Sequence, residues 1–390
     1  MNAIKQGYKQ TKVGIIPEDW EVVKIKEATS YVDYRGKTPT KTDNGVFLVT
    51  AKNIKQGFID YQASLEFVSE TEYHEIMRRG MPKIGDILIT TEAPLGNVAQ
   101  IDKENIALAQ RVIKFRAKKN VKNDFLKHYF LSNRFQSYLY RMAIGTTVLG
   151  IQGKELHNMS ISIPPLKEQE KIAEILTTWD EAISLHVKLI EEKEQLKIGL
   201  MQKLLSSEVR FAGFCDEWEK VRLGEIAEIY QPQTISQTEL TNEGFDVYGA
   251  NGIIGKYYQY NHELEQIAVT CRGNTCGTVN FTKPKSWITG NAMVINLDNS
   301  TKAIKTFIYY LFLNTNFTYL ISGSGQPQIT GNIKNHKLKL PLLPEQQKIA
   351  EVLSLADDEL NLLKKELEEL KQQKKGLMQK LLTGEVRVMA

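Results

Sequence analysis

Cysteine is nearly absent: Cys215, Cys271 and Cys276 are the only three in 390 residues. Three thiols make no paired framework and read as reduced, so a cytoplasmic location is expected. No run of 18 apolar residues exists, which excludes a transmembrane helix as usually built. The stretch from Met1 to Lys12 is polar and lacks the apolar core of a secretion signal. Catalytic motifs are missing as well. The nearest approach to a G-x-x-x-x-G-K-[ST] phosphate loop is Gly255-Lys256-Tyr257, which lacks the upstream glycine and the hydroxyl. No G-x-G-x-x-G opens a helix, since Gly323-Ser324-Gly325 runs on into Gln-Pro-Gln. There is no N-P-P-[FY] turn of an amino-methyltransferase and no G-x-S-x-G elbow. The six histidines show no H-x-x-x-H spacing, and none flanks Cys271 or Cys276. No catalytic residue, metal ligand or resident cofactor is therefore expected, and a binding protein is favoured over an enzyme.

Charge is present, but unevenly placed. The whole chain carries a formal +4. Residues 1–163 hold 24 Lys and Arg against 17 Asp and Glu, whereas residues 211–340 hold 11 of each. The first segment could thus face a polyanion, although an excess of +7 also serves ordinary solubility.

The strongest feature is an internal repeat. Residues 164–210 open as PPLKEQEKIAEIL and end as GLMQKLLSSEVR; residues 341–387 open as PLLPEQQKIAEVL and end as GLMQKLLTGEVR. The copies align without a gap, and 26 of 47 positions are identical. In the second copy Ile349, Leu353, Ala356, Leu360, Leu363, Leu367 and Leu370 step by four and three, the seam of a coiled coil. Lys374 interrupts that seam, and His186, Lys193 and Lys197 interrupt the first; these polar positions are expected to set register. Prolines stand just before each helix, where they suit an entry turn. Matching seams predict that the two helices pair, most simply antiparallel. A weaker echo, Asp19-Trp20-Glu21 and Glu217-Trp218-Glu219, suggests a closed cycle with an approximate two-fold axis.

Between the helices lie β-rich runs such as Asp86 to Thr90 and Gln266 to Thr270, each followed by a helical stretch, Lys122 to Met142 and Lys302 to Leu320. The expected class is mixed α/β: a globular domain at 1–163, a spacer helix at 164–210, a second domain at 211–340 and a second spacer at 341–390. The two domains share an outline and little sequence, as two copies of one device tuned to two targets would. Their polar loops suit DNA, because Arg and Lys grip guanine or phosphate and Asn and Gln grip adenine. The candidates in the first domain are Arg35, Lys37, Thr38, Lys52, Asn53, Lys55, Gln110, Arg111, Thr146 and Thr147. In the second they are Tyr248, Asn251, Lys256, Arg272, Asn274, Thr275, Ser324 and Gln326. Any one of these is equally at home in a plain surface turn.

These residues carry a resemblance over essentially the whole length. The doubled EQxKIAExL and GLMQKLL runs, the Pro-Glu-Asp-Trp-Glu opening at 17–21, and the loops Val247 to Gly252 and Arg272-Gly273-Asn274 resemble the specificity subunits of type I restriction-modification systems. The resemblance implies two target recognition domains, each reading one half of a split double-stranded DNA sequence, with the helix pair fixing the gap. It implies a subunit without catalysis. Its partners would be two modification subunits, which use S-adenosylmethionine, and restriction subunits, which use ATP and Mg. It also implies a docking role for Glu168, Gln169, Glu345 and Gln346, for which a helix-entry cap is the competing reading. A coiled-coil adaptor without DNA, or a fused enzyme, would be the other classes; the first leaves the two unlike domains unexplained, the second the missing motifs.

Overall fold

Short apolar runs with β-branched residues build the sheets here, and the heptad repeats build two helices of 40 and 39 residues. The computed structural model describes residues 4–34, 39–250, 252–323 and 327–388. It divides into two units, residues 1–187 with 366–390, and residues 188–365. Among the described residues, no helix is long and apolar enough to cross a membrane.

In the first unit, strands Thr29–Asp33, Val112–Ala117, Ile87–Thr91 and Leu95–Gln100 lie side by side in that order. Every pairing in this sheet is antiparallel. A smaller sheet forms around Val46–Val49, which pairs in parallel with Ile106–Leu108. The helical stretch breaks in two, Asn133–Met142 following Asn123–Leu131. Ser132 causes the break: its extended backbone ends one helix, and its hydroxyl caps the next by accepting from Phe135 N.

The second unit repeats this plan. Strands Glu228–Tyr230, Ala292–Asn296, Ile267–Thr270 and Val279–Phe281 form the four-stranded antiparallel sheet in the same order. Phe245–Gly249 pairs in parallel with Trp287–Ile288 in a smaller sheet. Helix Lys305–Leu313 takes the place of Asn123–Leu131, and Thr318–Leu320 is only a 3-10 turn. In each unit a two-stranded ribbon brings the chain back to the start of a long helix: Glu21–Lys24 with Ser160–Ile163, and Glu219–Arg222 with Lys337–Leu340.

The long helices Leu166–Leu205 and Leu343–Leu381 pair antiparallel within each unit. In the first, His186 faces Glu366 at 3.9 Å and Lys374 binds Asp180. In the second, Lys193 meets Glu359 at 2.6 Å and Lys197 binds Asp357. Each polar interruption of the seam is thus met by an acid across it. Ile172, Leu176 and Leu381 enter the first unit's core with Trp20 and Phe130. Leu204, Leu205, Ile349 and Leu353 do the same in the second with Phe307 and Phe312.

Candidate nucleic-acid interface

In both units most of the described candidate loops gather at one end of the four-stranded sheet. In the first, the turn after Thr91 is the hub. Asn97 Nδ2 donates to Ile54 O at 2.7 Å and Gln56 Nε2 to Gly96 O at 3.2 Å, which fixes the loop bearing Lys52 and Lys55 beside this turn. Gly96 sits at φ +79°, a left-handed conformation that favours glycine, and a Cβ there would also crowd Gln136 Oε1 at 2.7 Å. The loop with Thr146 and Thr147 joins the hub through a bridge between Glu92 and Gly150. Arg111 completes the cluster: its Nε donates to Glu92 at 2.9 Å, and its O accepts from Thr91 N at 2.9 Å. Lys52, Arg111, Thr146 and Thr147 are exposed, and Lys55 and Gln110 are half-buried.

The second unit's hub is the turn after Thr270, with Arg272, Asn274 and Thr275 all exposed. Gly273 N donates to Pro327 O at 3.0 Å, and Thr270 Oγ1 to Ala250 O at 2.5 Å, so the turns at 250 and 327 converge on it. Lys256 stands back from the hub. With Lys283 it clasps Asp246, at 2.8 and 2.9 Å, and the two ammonium groups hold that carboxyl below its usual range. Arg35, Lys37, Thr38, Asn251, Ser324 and Gln326 lie outside the described residues.

Two candidates face inward instead. Asn53 is fully buried. Its Oδ1 accepts from Thr50 N and Thr50 Oγ1, and its Nδ2 donates to Asp60 O and Ser64 O, which spends the whole amide on closing its own loop. Tyr248 packs with Ile288 and Val294, and its hydroxyl accepts from Lys283 N at 3.1 Å. Neither side chain can reach a base. The basic excess is also partly internal: Lys114 and Arg116 both close on buried Asp86, at 3.3 and 2.6 Å. Glu92 and Asn291, both at the hubs, and exposed Ile144, Val148 and Leu149 escaped the sequence reading. For Glu92 and Asn291 the one signal is position, directly after or before an apolar strand.

The four residues assigned to docking correct the expectation most clearly. Glu168, Gln169, Glu345 and Gln346 are all buried. Gln169 Oε1 accepts from Lys122 N at 3.0 Å, while its Nε2 donates to Asn120 O and Pro164 O. Gln346 does the same with Ile304 N, Lys302 O and Pro341 O. Lys122 and Ile304 are the N-cap residues of the domain helices. Each glutamine therefore stitches a long helix to the start of a domain helix. The glutamates close the antiparallel pair: Arg387, which ends one repeat, holds Glu168, and Arg210, which ends the other, holds Glu345. Trp20 Nε1 also donates to Glu168 at 3.0 Å, and Arg387 reaches Asp19. Tyr8 donates to Gly384 O at 2.7 Å, so the chain's last turn closes on its first strand. Buried as they are, these four side chains hold the fold together and present little surface of their own to a partner.

A fold used twice, with dissimilar polar loops at corresponding sheet ends and long paired helices, defines a double recognition module. Comparison with known proteins gives the kind. The family model of the type I restriction modification DNA specificity domain matches residues 17–195 and again 215–372. The chain belongs to that family: it is a DNA specificity subunit of a type I restriction-modification system, and not itself the enzyme. It is similar to the putative type I restriction enzyme MjaX specificity subunit of Methanocaldococcus jannaschii, with 28% identity covering 98% of this chain and 97% of the relative. The MjaVIII specificity subunit of the same organism is 25% identical, again over 98% and 97%. Among solved structures, the type I S subunit of M. genitalium superposes with a TM-score of 0.63 at 18% identity, covering 93% of this chain and 96% of that one. A chain from a study of complex assembly in a type I system gives 0.59 at 19%, covering 95% and 99%. Among the described residues no cluster of three His, Cys, Asp or Glu could hold a metal ion.

Proposed function

We propose that each unit reads one half of a split double-stranded DNA sequence, and that helix length sets the gap between the halves. The observation that carries this reading is the repetition itself. One sheet order, one loop hub and one helix staple occur twice, while the exposed hub side chains differ. In the same reading residues 1–163 and 211–340 are the target recognition domains, 164–210 and 341–390 the spacers, and the chain works in the cytoplasm. Lys52, Lys55, Gln110, Arg111, Thr146 and Thr147 would serve one half-site, with Arg35, Lys37 and Thr38. Arg272, Asn274 and Thr275 would serve the other, with Lys256, Asn251, Ser324 and Gln326.

Two modification subunits and the restriction subunits would dock on this chain and bring S-adenosylmethionine, ATP and Mg with them. The EQ residues being buried, docking falls to outward leucines spaced by a heptad: Leu355 and Leu362, 66% and 56% exposed, and Leu189 and Leu196 on the other helix. A solvated coiled coil carries charge at such positions, and unpaired leucines there suit a partner helix. The test is co-expression with a type I modification subunit, followed by mapping of methylated adenines on genomic DNA. A split motif with one fixed gap supports the reading. An unsplit motif, or an assembled complex that methylates nothing, counts against it.

A further inference from the structure

The two hubs can be superimposed by hydrogen-bond register alone. Val112 stands opposite Thr90 in one unit, and Ala292 opposite Thr270 in the other. The next residue donates across the sheet in both: Thr91 N to Arg111 O at 2.9 Å, and Cys271 N to Asn291 O at 3.0 Å. Its carbonyl then accepts from the incoming segment, from Ile151 N and from Ile329 N, each at 3.0 Å. One step further, Glu92 bridges Gly150 and Arg272 bridges Gln328. Those bridged residues each pair once more, Gly150 with Ile144 and Gln328 with Ser322. Five features match, so Glu92 corresponds to Arg272 and Arg111 to Asn291. No sequence similarity reveals this, because the paired residues differ in charge and in type.

We propose that these two positions are where each unit chooses its bases. The inference rests on the half-site reading above and names its residues. Three observations support it. The backbone at both positions is pinned to strand ends, so a side chain presented there loses little freedom on binding. Arg111 is held at φ +67°, a left-handed conformation costly for a residue with a side chain, so the fold keeps a functional arginine where glycine would sit more easily. Finally, the frame is constant and the chemistry is not. In the second unit, exposed Arg272 and Asn291 match guanine O6/N7 and adenine N6/N7. In the first, Arg111 takes guanine while Glu92 aims its guanidinium; Val148 and Leu149, 56% and 43% exposed on the adjoining loop, meet a thymine methyl.

The experiment uses the full complex with a type I modification subunit, adenine-methylation mapping, and competition between duplexes differing at single base pairs. One variant, R272E/N291R, installs the first unit's pair in the second. Another is R111N. The double variant should change base identity at one or two positions of one half-site and leave the other half-site and the gap intact. R111N should relax discrimination at one base pair of the remaining half-site by roughly tenfold to a hundredfold. If a variant complex assembles but no longer methylates, the competition ratio decides in the same way. An unchanged motif and unchanged ratios overturn the inference. So does a uniform loss across all duplexes with a salt slope reduced by about one, which marks a phosphate contact. Failure of the underlying reading shows separately, as a wild-type complex whose own motif is not split, and the inference falls with it.

Discussion

Two glutamines and one histidine show what single residues contribute here. Gln346 is fully buried and makes three hydrogen bonds to backbone groups. Gln346→Leu strands Ile304 N and two carbonyls, and should cost the second unit about 2–4 kcal/mol. Its exposed neighbour is the control: Gln347→Leu should stay within about 0.5 kcal/mol. Denaturant midpoints of the two variants check this; equal stability, with complex assembly lost only in Gln346→Leu, would restore a docking role. His128 supplies a pH dependence. Burial, reinforced by Lys127 and Lys374, pushes its pKa down to about 2, and its Nε2 lies 3.2 Å from Thr177 Oγ1. Asp180 stands 3.8 Å from Nδ1, but Lys374 binds that carboxylate and Lys127 stands at 3.5 Å, so it does not hold a proton on the ring. The folded imidazole is therefore neutral. As pH falls below about 6.5 the unfolded chain takes up a proton that the folded unit refuses. Stability contributed above that pH is lost at about 1.4 kcal/mol per pH unit. Replacing His128 by Gln should flatten the acid limb of the first unit's stability curve between pH 6.5 and 4.5; an unaltered limb would assign it to other groups.

At the scale of elements, the helix pairing rests on a hydrophobic seam with charges placed inside it. Lys197 with Asp357 and Lys374 with Asp180 are the same pair in the two repeats, and Tyr310 also donates to Asp357 at 2.7 Å. Half-buried pairs of this kind couple more strongly than exposed ones. A cycle of Lys197→Met, Asp357→Asn and the double variant should give a coupling of about 1–3 kcal/mol. The same cycle on Lys364 and Glu194, 54% and 43% exposed, should give under about 0.5 kcal/mol. Equal couplings would show that the seam charges do not fix register. The seam was legible because a heptad lies within one continuous stretch of sequence. The strand runs were legible for the same reason: the run from Asp86 to Thr90 announces itself by composition, and the strand spans Ile87–Thr91. The EQ residues misled because Glu and Gln are usually solvated, and their partners are distant: Arg387 is 219 positions from Glu168. One clue did exist, a repeated acid at the start and a repeated arginine at the end of helices expected to run antiparallel. Asn53 and Tyr248 misled in the same way, being residue types with a polar group that are used inwardly. The correspondence of Arg111 with Asn291 was beyond any sequence pattern, because only strand register defines it.

For the whole molecule, the proposed split-site reading turns on what would set the distance between half-sites. Helix Leu166–Leu205 supplies residues to both units, and so does Leu343–Leu381. A change in helix length is the natural handle on the gap, provided both helices change together and at facing positions. His186 faces Glu366, so an insertion after Val187 is matched by one after Lys365. Four residues add about 6 Å of helix, close to two base-pair steps of about 3.4 Å. A four-residue insertion departs from the heptad and locally unwinds the pair. A seven-residue insertion keeps the seam in phase and adds about 10 Å, or three steps. The expected result is a methylated motif whose half-sites are unchanged, with a gap longer by about two and about three base pairs respectively. Inserting in one helix alone should abolish methylation, since the seam and the Glu–Arg closures at its ends can no longer both form. A gap that stays constant in the paired insertions, with methylation intact, would mean that spacing is set outside the helices, by the partner subunits or by the DNA itself.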